Sequence, residues 1–295
     1  MTKALVLAER ADAAVELAAG ARTIADEVIV VAIADMPVAE GIADRVAHVT
    51  LPEGATVAAA AATVSAFWAA ERPDVTLVEP TRHMKIVAGT VAAAAGTSVI
   101  TDAIALEGGV ASSMYFGGVG LKKQRSDASI ITVTPGTFAG LEASGANAAE
   151  ELAWVAPAAS VTLVSSTPIQ KSGVDLTKAD VVVAAGRGFA TEEDLGAAKE
   201  LAEKLGGGLG CSRPLTEGVN WLPTELYIGV SGLIVTPKVY IAAGISGQMQ
   251  HMVGCNRSGV MFAINKDKNA PVFKQCDYGI IGDVNTVIPA IIAAL

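Results

Sequence analysis

The sequence predicts an α/β protein of two domains, each built on a mostly parallel β-sheet flanked by helices. Short apolar, β-branched segments alternate along the chain with longer Ala-rich segments of helical character. Such alternation is typical of parallel strands joined by crossover helices. A polar, turn-rich stretch, SSTPIQKSGVD at 165–175, separates two such series and is typical of a domain boundary. We therefore expect an N-terminal domain over residues 1–168 and a C-terminal domain over residues 169–295.

The first domain opens with a strand, an Ala-rich helix and a second strand, which is a βαβ unit. The segment 135–150 mixes Gly, Ala, Ser and Pro, so we expect it to leave the sheet. Apolar runs predict strands at 4–8, 28–34, 46–51, 75–80, 98–106, 110–119, 129–134 and 153–164, and helices at 11–25, 55–71 and 84–95.

The second domain repeats the alternation. Its first helix, predicted at 195–205, has Thr191 as a candidate N-cap with Asp194 three residues on, and it ends in three glycines. An Ala- and Ile-rich helix runs to Leu295. Strand-like segments lie at 181–185, 208–212, 227–230, 234–244, 259–265 and 277–283.

Composition excludes several classes of partner. The net charge of −9 and the pI near 4.9 argue against nucleic acid and anionic membranes, which need a concentrated basic surface. No apolar run is long enough and uninterrupted enough to span a bilayer, and the N-terminus lacks the order of a signal peptide. We therefore expect no membrane insertion and a cytoplasmic, bacterial protein.

The three cysteines form no CxxC pair, so we expect a reducing compartment and no metal site. Cys211, beside Ser212 and Arg213, is the one thiol that merits a test of reactivity.

The turn Gly244–His251, GISGQMQH, lies where an apolar strand would pass into a helix. Small residues at such a junction let the backbone approach a ligand, and the new helix offers N–H groups to a phosphate. Its polar side chains stand in an otherwise apolar segment, which favours a ligand such as a dinucleotide. The GxxG spacing is not the GxGxxG fingerprint, and such turns also occur in α/β proteins that bind nothing there.

Polar residues also follow four strand-like segments: Arg187, Arg213, Ser231 and Asn265. Open α/β sheets bind ligands at the carboxyl ends of their strands, so these side chains predict one shared site. Each also has a structural interpretation, as a surface charge, an ion-pair partner, a turn former and a strand terminator, respectively.

Taken in order, the motifs GRG, CSRP, VSG, GISGQMQHMVG, AINKDKNAPVF and CDYGIIGD resemble the C-terminal flavin domain of the electron-transfer flavoprotein alpha subunit. The resemblance covers residues 181–295. It continues more loosely in the first domain through PTRHMKIVAGTVAAAAGTSVITDA and YFGG. It implies a Rossmann-like C-terminal domain that binds one FAD, an N-terminal domain for scaffold and subunit contact, and a beta subunit that completes a heterodimer.

The resemblance also implies roles for individual positions. Arg187 and the turn 246–251 fall where the family binds the diphosphate, ribityl or isoalloxazine groups, and 228–231 fall on the flavin-contacting loop. Arg213 falls where a guanidinium lies over the ring, and His251 where an imidazole approaches the flavin O2 edge. The cofactor-binding set implied in this way is Arg187, Ser212, Arg213, Ile228, Gly229, Val230, Ser231, Gly244, Ser246, Gly247, Gln248, Met249, Gln250, His251, Asn265, Asp283 and Val284, the last three on the adenosine side.

The chemistry of these side chains suits the implied roles. A reduced flavin accumulates negative charge near N1 and C2=O, which a guanidinium or imidazole donor stabilises, and a hydroxyl near N5 tunes its protonation. The flavin loop reads Val230-Ser231-Gly232-Leu233 where much of the family reads Gln-Thr-Gly-Lys, and Met84 stands where a Gly is common. The loop resembles the branch of carnitine-linked and Fix-type alpha subunits.

The resemblance predicts an electron carrier rather than an enzyme, with no catalytic side chain. Electrons would pass between an acyl-CoA dehydrogenase-type protein and a quinone-linked oxidoreductase, in fatty acid or carnitine metabolism. A flavin-based bifurcating form that oxidises NADH is an alternative. A nicotinamide-dependent oxidoreductase, with His251 as its proton donor, and a non-redox nucleotide-binding or assembly subunit are the other hypotheses.

Overall fold

A computed structural model describes residues 2–118, 120–126, 129–159, 161–167 and 173–295. Contacts divide the chain into two compact units: residues 1–115 with 120–168, and residues 116–119 with 169–295. The predicted boundary between 168 and 169 lies outside the described residues, as do residue 119 of one predicted strand and residue 160 of another. The predicted fold class is confirmed, because each unit is a mostly parallel sheet flanked by helices.

The first unit is built on a nine-stranded sheet in the order β7-β6-β5-β8-β4-β1-β2-β3-β9. The β5–β6 and β6–β7 pairs are antiparallel, and the other pairs are parallel. Its strands are β1 Lys3–Ala8, β2 Glu27–Ile33, β3 Arg45–Val49, β4 Val75–Val78, β5 Val99–Glu107, β6 Val110–Tyr115, β7 Gly120–Gln124, β8 Ser129–Val133 and β9 Ala148–Glu151.

Helices cover both faces of this sheet: α1 Ala11–Arg22, α2 Ala61–Glu71 and α3 Arg82–Ala95. The α1 helix packs with one set of strand side chains, while α2 and α3 pack with the alternate set, as the period-two alternation of a strand requires. The Thr81 hydroxyl caps α3 by accepting a hydrogen bond from the backbone N–H of Met84 at 3.1 Å.

The second unit is a five-stranded, fully parallel sheet in the order β11-β10-β12-β13-β14. Counted within the unit, this order is 2-1-3-4-5, so the direction of winding reverses between β10 and β12. Its elements are β10 Val181–Ala185, α4 Leu195–Lys204, β11 Gly208–Cys211, α5 Pro214–Glu217, β12 Val239–Ala243, α6 Met249–Met252, β13 Val260–Asn265, β14 Tyr278–Ile281 and α7 Val284–Ala294.

The two faces of the second sheet are covered differently. One face packs against α4 and α7 through residues such as Leu201 and Ile288. The other packs against α6 and irregular chain, through residues such as Ile228, Met252 and Val272. Along β12 the side chains alternate between these faces. In the described part of the chain, no helix is long and apolar enough to cross a membrane.

Several sequence predictions are wrong in detail. The segment 135–150 was expected to leave the sheet, yet β9 begins in its last three residues and pairs with β3. β7 was also missed; it is an edge strand with two lysines. Both have largely exposed side chains, so backbone pairing forms them without the apolar alternation that marks a half-buried strand. The predicted strand at 153–164 shows, among its described residues, only a bridge from Thr162 to Ala55.

Two local predictions in the second unit are also corrected. Thr191 does not cap α4: the helix begins at Leu195, and the Asp194 carboxylate accepts the Thr191 N–H at 3.0 Å. The segment 227–230 is not a strand, because its described residues form only isolated bridges, from Tyr227 to Cys211 and from Ile228 to Leu233.

Candidate functional site

A cavity of about 690 Å³ lies in the second unit at the carboxyl ends of the strands. Its volume is in the range of small-molecule and cofactor sites. All five strands lead into it, and it includes the crevice between β10 and β12 where open α/β sheets bind ligands. The lining residues are Arg187, Gly188, Ser212, Arg213, Pro214, Tyr227, Val230, Ser231, Gly244, Ile245, Ser246, Gln248, Gln250, His251, Asn265, Lys266, Gly282, Asp283 and Val284.

Glycines bring the loops after β10 and β12 into backbone contact. The Gly188 N–H donates to the Gly244 carbonyl at 2.9 Å. A Cβ on Gly244, whose φ is +66°, would lie 2.7 Å from the Gly188 Cα, and a Cβ on Gly186 would lie 2.5 Å from the Gly244 carbonyl oxygen. Only residues without side chains fit this contact. Gly188 and Gly244 therefore line the cavity with backbone only.

The turn after β12 is held by the segment that follows β13. The Val272 N–H donates to the Ser246 carbonyl at 3.0 Å, and the Gln275 side chain donates to the Gly247 carbonyl at 3.1 Å. Gly247 has a φ of +83°. The helix expected after this turn, α6, has only four residues. Its dipole is therefore small, and the exposed side chains of Ser246, Gln248 and Gln250 supply the polarity of this wall.

The loop 227–233 forms another wall of the cavity. The Ile228 N–H donates to the Cys211 carbonyl at 2.9 Å, and the Val230 N–H donates to the Gln250 carbonyl at 2.8 Å. These bonds connect the loop to both β11 and α6. The Tyr227 and Ser231 hydroxyls lie 3.4 Å apart, so Tyr227 offers a second hydroxyl beside the predicted one.

His251 lines the cavity but is itself buried, with 7% of its surface exposed. Its Nε2 lies 2.7 Å from the Tyr240 hydroxyl. Its Nδ1 is buried and has no hydrogen-bond partner among the described residues. Burial lowers the pKa of His251 to about 4, and the Ile228 backbone only partly opposes this shift. The imidazole is therefore neutral near pH 7.

Arg213 carries an exposed positive charge into the cavity. Its Nε and Nη2 each lie 2.6 Å from the Glu217 carboxylate one turn along α5, and this partner raises the pKa of Arg213. The ion-pair interpretation of Arg213 is therefore correct, and it does not compete with a ligand role, because the guanidinium has five N–H donors.

Asn265 and Asp283 lie at the ends of β13 and β14, and both organise the local backbone. The Asn265 amide donates to the Ile245 carbonyl at 2.9 Å and accepts the Asp267 N–H at 2.9 Å. Asp283 caps α7 by accepting the Asn285 N–H at 2.9 Å. Asn265 thus fixes the turn after β12 from the neighbouring strand, in keeping with its structural interpretation.

The cavity brings together thirteen of the seventeen predicted positions. Four do not line it: Ile228, Gly229, Gly247 and Met249. These four belong to the walls, since Ile228 is in the core and Gly247 lies against Val272. Six lining residues were not predicted: Gly188, Pro214, Tyr227, Ile245, Lys266 and Gly282. Each directly adjoins a predicted residue, so extending each motif by one position would have found them.

The structure gives no support to Cys211 as a reactive thiol. It is fully buried on β11, and burial raises the pKa of Cys211 to about 12, so a thiolate does not form near neutral pH. Among the described residues, no group of three or more His, Cys, Asp or Glu side chains is placed to hold a metal ion.

Comparison with known proteins identifies the family. The model of the electron transfer flavoprotein domain matches residues 4–159, and that of the electron transfer flavoprotein FAD-binding domain matches residues 175–256. The chain is 40% identical over 227 residues to Protein FixB of Escherichia coli O139:H28 (strain E24377A / ETEC) and of Escherichia coli O7:K1 (strain IAI39 / ExPEC), covering 74% of this chain and 72% of each relative. The chain belongs to the electron transfer flavoprotein family.

It is an alpha-type electron transfer flavoprotein subunit, and its cofactor is FAD. The site of the second unit fits that cofactor. Gly188 and Gly244 present backbone without side chains to the cavity at the β10–β12 switch point, where a ligand can approach closely. The buried Nδ1 of His251 also has no hydrogen-bond partner among the described residues, so a ligand can supply one. The FAD-binding domain match ends at residue 256, before the lining residues of β13, β14 and α7.

Proposed function

We propose that this chain forms a heterodimer with a beta subunit and carries electrons from an acyl-CoA dehydrogenase-type donor to a quinone-linked acceptor. The observation that carries this proposal is the lining of one cavity by a guanidinium, a hydroxyl and an imidazole, from Arg213, Ser231 and His251. FAD, when bound, supplies one- and two-electron oxidation and reduction. The protein has no need of a nucleophile or a general acid for such transfer.

Each side chain would adjust the cofactor by charge or hydrogen bonding. Arg213 would hold a permanent positive charge near the ring, which favours the reduced, more negative forms. His251, neutral and buried, would act as a hydrogen-bond partner rather than as a second charge. Ser231 would supply a hydroxyl, and Tyr227, 3.4 Å from it, would orient that hydroxyl.

Other lining residues would bind the rest of FAD. We assign Arg187 and the turn 246–251 to the diphosphate, ribityl or isoalloxazine groups, and Asn265, Asp283 and Val284 to the adenosine side. We further assign residues 169–295 to FAD binding and residues 1–168 to scaffold and subunit contact.

The alternative within the family is a bifurcating subunit for which NADH is the donor. A nicotinamide-dependent oxidoreductase has less support, because burial lowers the pKa of its one candidate proton donor, His251, to about 4. At neutral pH that imidazole carries no additional proton to give.

The first experiment is co-expression of the chain with a beta-type electron transfer flavoprotein subunit, followed by purification through a tag on the beta subunit. We expect the two chains to co-elute with a flavin absorption spectrum and about one FAD per heterodimer. A colourless preparation that does not regain colour on incubation with FAD would overturn FAD binding in this chain. The chain's failure to co-elute would overturn the heterodimer.

A second experiment separates the donors. The purified complex is titrated anaerobically with NADH alone, and separately with an acyl-CoA dehydrogenase and its acyl-CoA substrate, while flavin absorbance is followed. Bleaching by the dehydrogenase and not by NADH is the expected result. Bleaching by NADH without any dehydrogenase would contradict the simple carrier and favour bifurcation.

A further inference from the structure

Tyr240 is a fully buried tyrosine behind the wall of the cavity. It lies on β12 in the core, and it does not line the cavity. Its hydroxyl lies 2.7 Å from His251 Nε2, with ring centroids 6.3 Å apart. A tyrosine buried this deeply needs a partner for its hydroxyl, and the partner here is a residue of the cavity wall.

The hydrogen bond leaves His251 one free ring nitrogen. Nδ1 is buried without a partner among the described residues, and buried polar atoms are nearly always paired in folded proteins. Since His251 lines the cavity, we expect a ligand bound there to supply the hydrogen-bond partner of Nδ1.

The Tyr240 hydroxyl has two ways to bond a neutral imidazole. If it donates to Nε2, the ring proton lies on Nδ1, which is then a donor. If it accepts from Nε2, the bare Nδ1 is an acceptor. The nearby Cys255 thiol donates to the His251 backbone carbonyl, with Sγ and O 3.8 Å apart. A phenol hydroxyl is a better donor than acceptor and a bare imidazole nitrogen is a strong acceptor, so the 2.7 Å contact favours the first arrangement.

We propose that Tyr240 is a positioning residue: its hydroxyl donates to His251 Nε2, holds the ring proton on Nδ1 and makes His251 a neutral hydrogen-bond donor toward the bound cofactor. The group that it would meet is an acceptor, such as a ring carbonyl. This inference rests on the proposed function only in naming the ligand, because the tautomer is a property of the protein without FAD.

The decisive measurement is ¹⁵N NMR of the histidines in the full-length chain, in complex with its beta subunit and stripped of FAD, at pH 7. The ¹⁵N shifts of His251 are assigned by comparison with His251→Gln. We expect the wild type to show a single neutral tautomer with the proton on Nδ1, and Tyr240→Phe to show a mixture of the two tautomers. A wild type with the proton on Nε2, or a Tyr240→Phe variant with unchanged shifts, would overturn the proposal.

A second measurement uses the complex reconstituted with FAD. We expect Tyr240→Phe to weaken FAD binding about 3- to 10-fold, which is the size of one lost or misdirected hydrogen bond, and to move the flavin reduction potential in the same direction as His251→Gln. The matched control is Tyr278→Phe, which removes a hydroxyl from an exposed ring stacked on Phe262 and should change neither quantity.

A double variant tests whether Tyr240 acts through His251. Adding Tyr240→Phe to His251→Gln should cause no further change in the potential, because coupled residues are not additive; independent, additive shifts would contradict the mechanism. If Tyr240→Phe does not fold, the wild-type tautomer alone decides. If no FAD binds to any variant, the proposed function fails while the tautomer result stands.

Discussion

The two sheets share a topology at their switch points and differ in what occupies them. In the first unit, the winding reverses between β1 and β4, and the Glu79 side chain, 2% exposed, occupies the crevice. Its carboxylate accepts the N–H groups of Glu9 at 2.7 Å and Arg10 at 3.1 Å, and the Arg10 Nε at 2.5 Å. In the second unit, the equivalent crevice between β10 and β12 is lined by glycines and opens into the cavity.

The comparison shows that the strand order creates a crevice in each sheet, and that individual residues determine whether protein fills it or a ligand can bind there. The N–H groups after a first strand, at the start of the following helix, are those that bind anionic ligands in many α/β proteins. Glu79 satisfies these groups from within the protein in the first unit. In the second unit, the Gly186 and Gly188 N–H groups donate to the Ala243 and Gly244 carbonyls instead, and no carboxylate of a described residue fills the place where Gly188 and Gly244 line the cavity.

The largest expected effect is at Glu79. Glu79→Ala removes the buried carboxylate that accepts from two backbone N–H groups and from the Arg10 Nε, so we expect a loss of about 3–5 kcal/mol in the free energy of unfolding. Chemical denaturation would measure it. The control is Asp12→Ala, which removes a more distant and exposed partner of Arg10, 3.9 Å away. If Glu79→Ala were as stable as this control, the Glu79 carboxylate would not be the acceptor that stabilises the N–H groups of this crevice.

The next effect concerns the buried imidazole of the open site. The folded pKa of His251, about 4, is below the ordinary value near 6.5, so the unfolded chain binds the proton more readily between these pH values. The stability that the neutral, buried imidazole contributes to the free energy of unfolding is fully present above pH 6.5. It is lost as the pH falls toward 4, and the total loss is about 3 kcal/mol. Denaturation of the FAD-free protein across this range should show a steeper loss for the wild type than for His251→Gln. Parallel curves would show that the His251 pKa is not lowered.

The third prediction concerns the close contact between Gly188 and Gly244 at the β10–β12 switch point. Gly188→Ala would place a Cβ against the Gly244 backbone, so we expect a loss of about 2 kcal/mol in stability together with weaker FAD binding. Gly196→Ala is the matched control, because nothing lies within 4 Å of its Cβ position in α4. That change should raise stability by about 0.5–1 kcal/mol. Full FAD affinity in Gly188→Ala would mean that close packing of these loops is not required.

The smallest effect on stability is expected at Arg213. Its pair with Glu217 is exposed, and such pairs are worth little in solvent, so Arg213→Ala should leave the unfolding midpoint unchanged within error. FAD affinity should nevertheless fall by about tenfold or more, as for the loss of a charged hydrogen-bond donor. Lys238→Ala, which breaks another exposed pair, with Asp180 at 2.9 Å, should change neither quantity. An unaltered affinity in Arg213→Ala would remove the guanidinium from the proposed site.

The candidate site was more predictable than the edges of the sheets. Polar residues after buried strands, such as Arg187 and Ser246, predict a shared site because the carboxyl ends of parallel strands meet at one edge. The strands β7 and β9 escaped prediction because an edge strand needs only backbone pairing, which leaves no apolar pattern in the sequence. Tyr227 was missed although it adjoins the predicted Ile228, because its segment forms no strand and its position depends on backbone bonds to Thr224 and Leu233.

The sequence by itself determined the α/β class, the family and the polar side chains that reach the cavity, because these follow from local periodicity and from motifs. Only the tertiary structure decided that Glu79 occupies one switch point while glycines leave the other open. It alone paired Tyr240 with His251 and left Nδ1 of that histidine without a partner in the described part of the chain. Such contacts join residues on different elements, and their burial, which sets the pKa of His251, exists only once the sheets have packed.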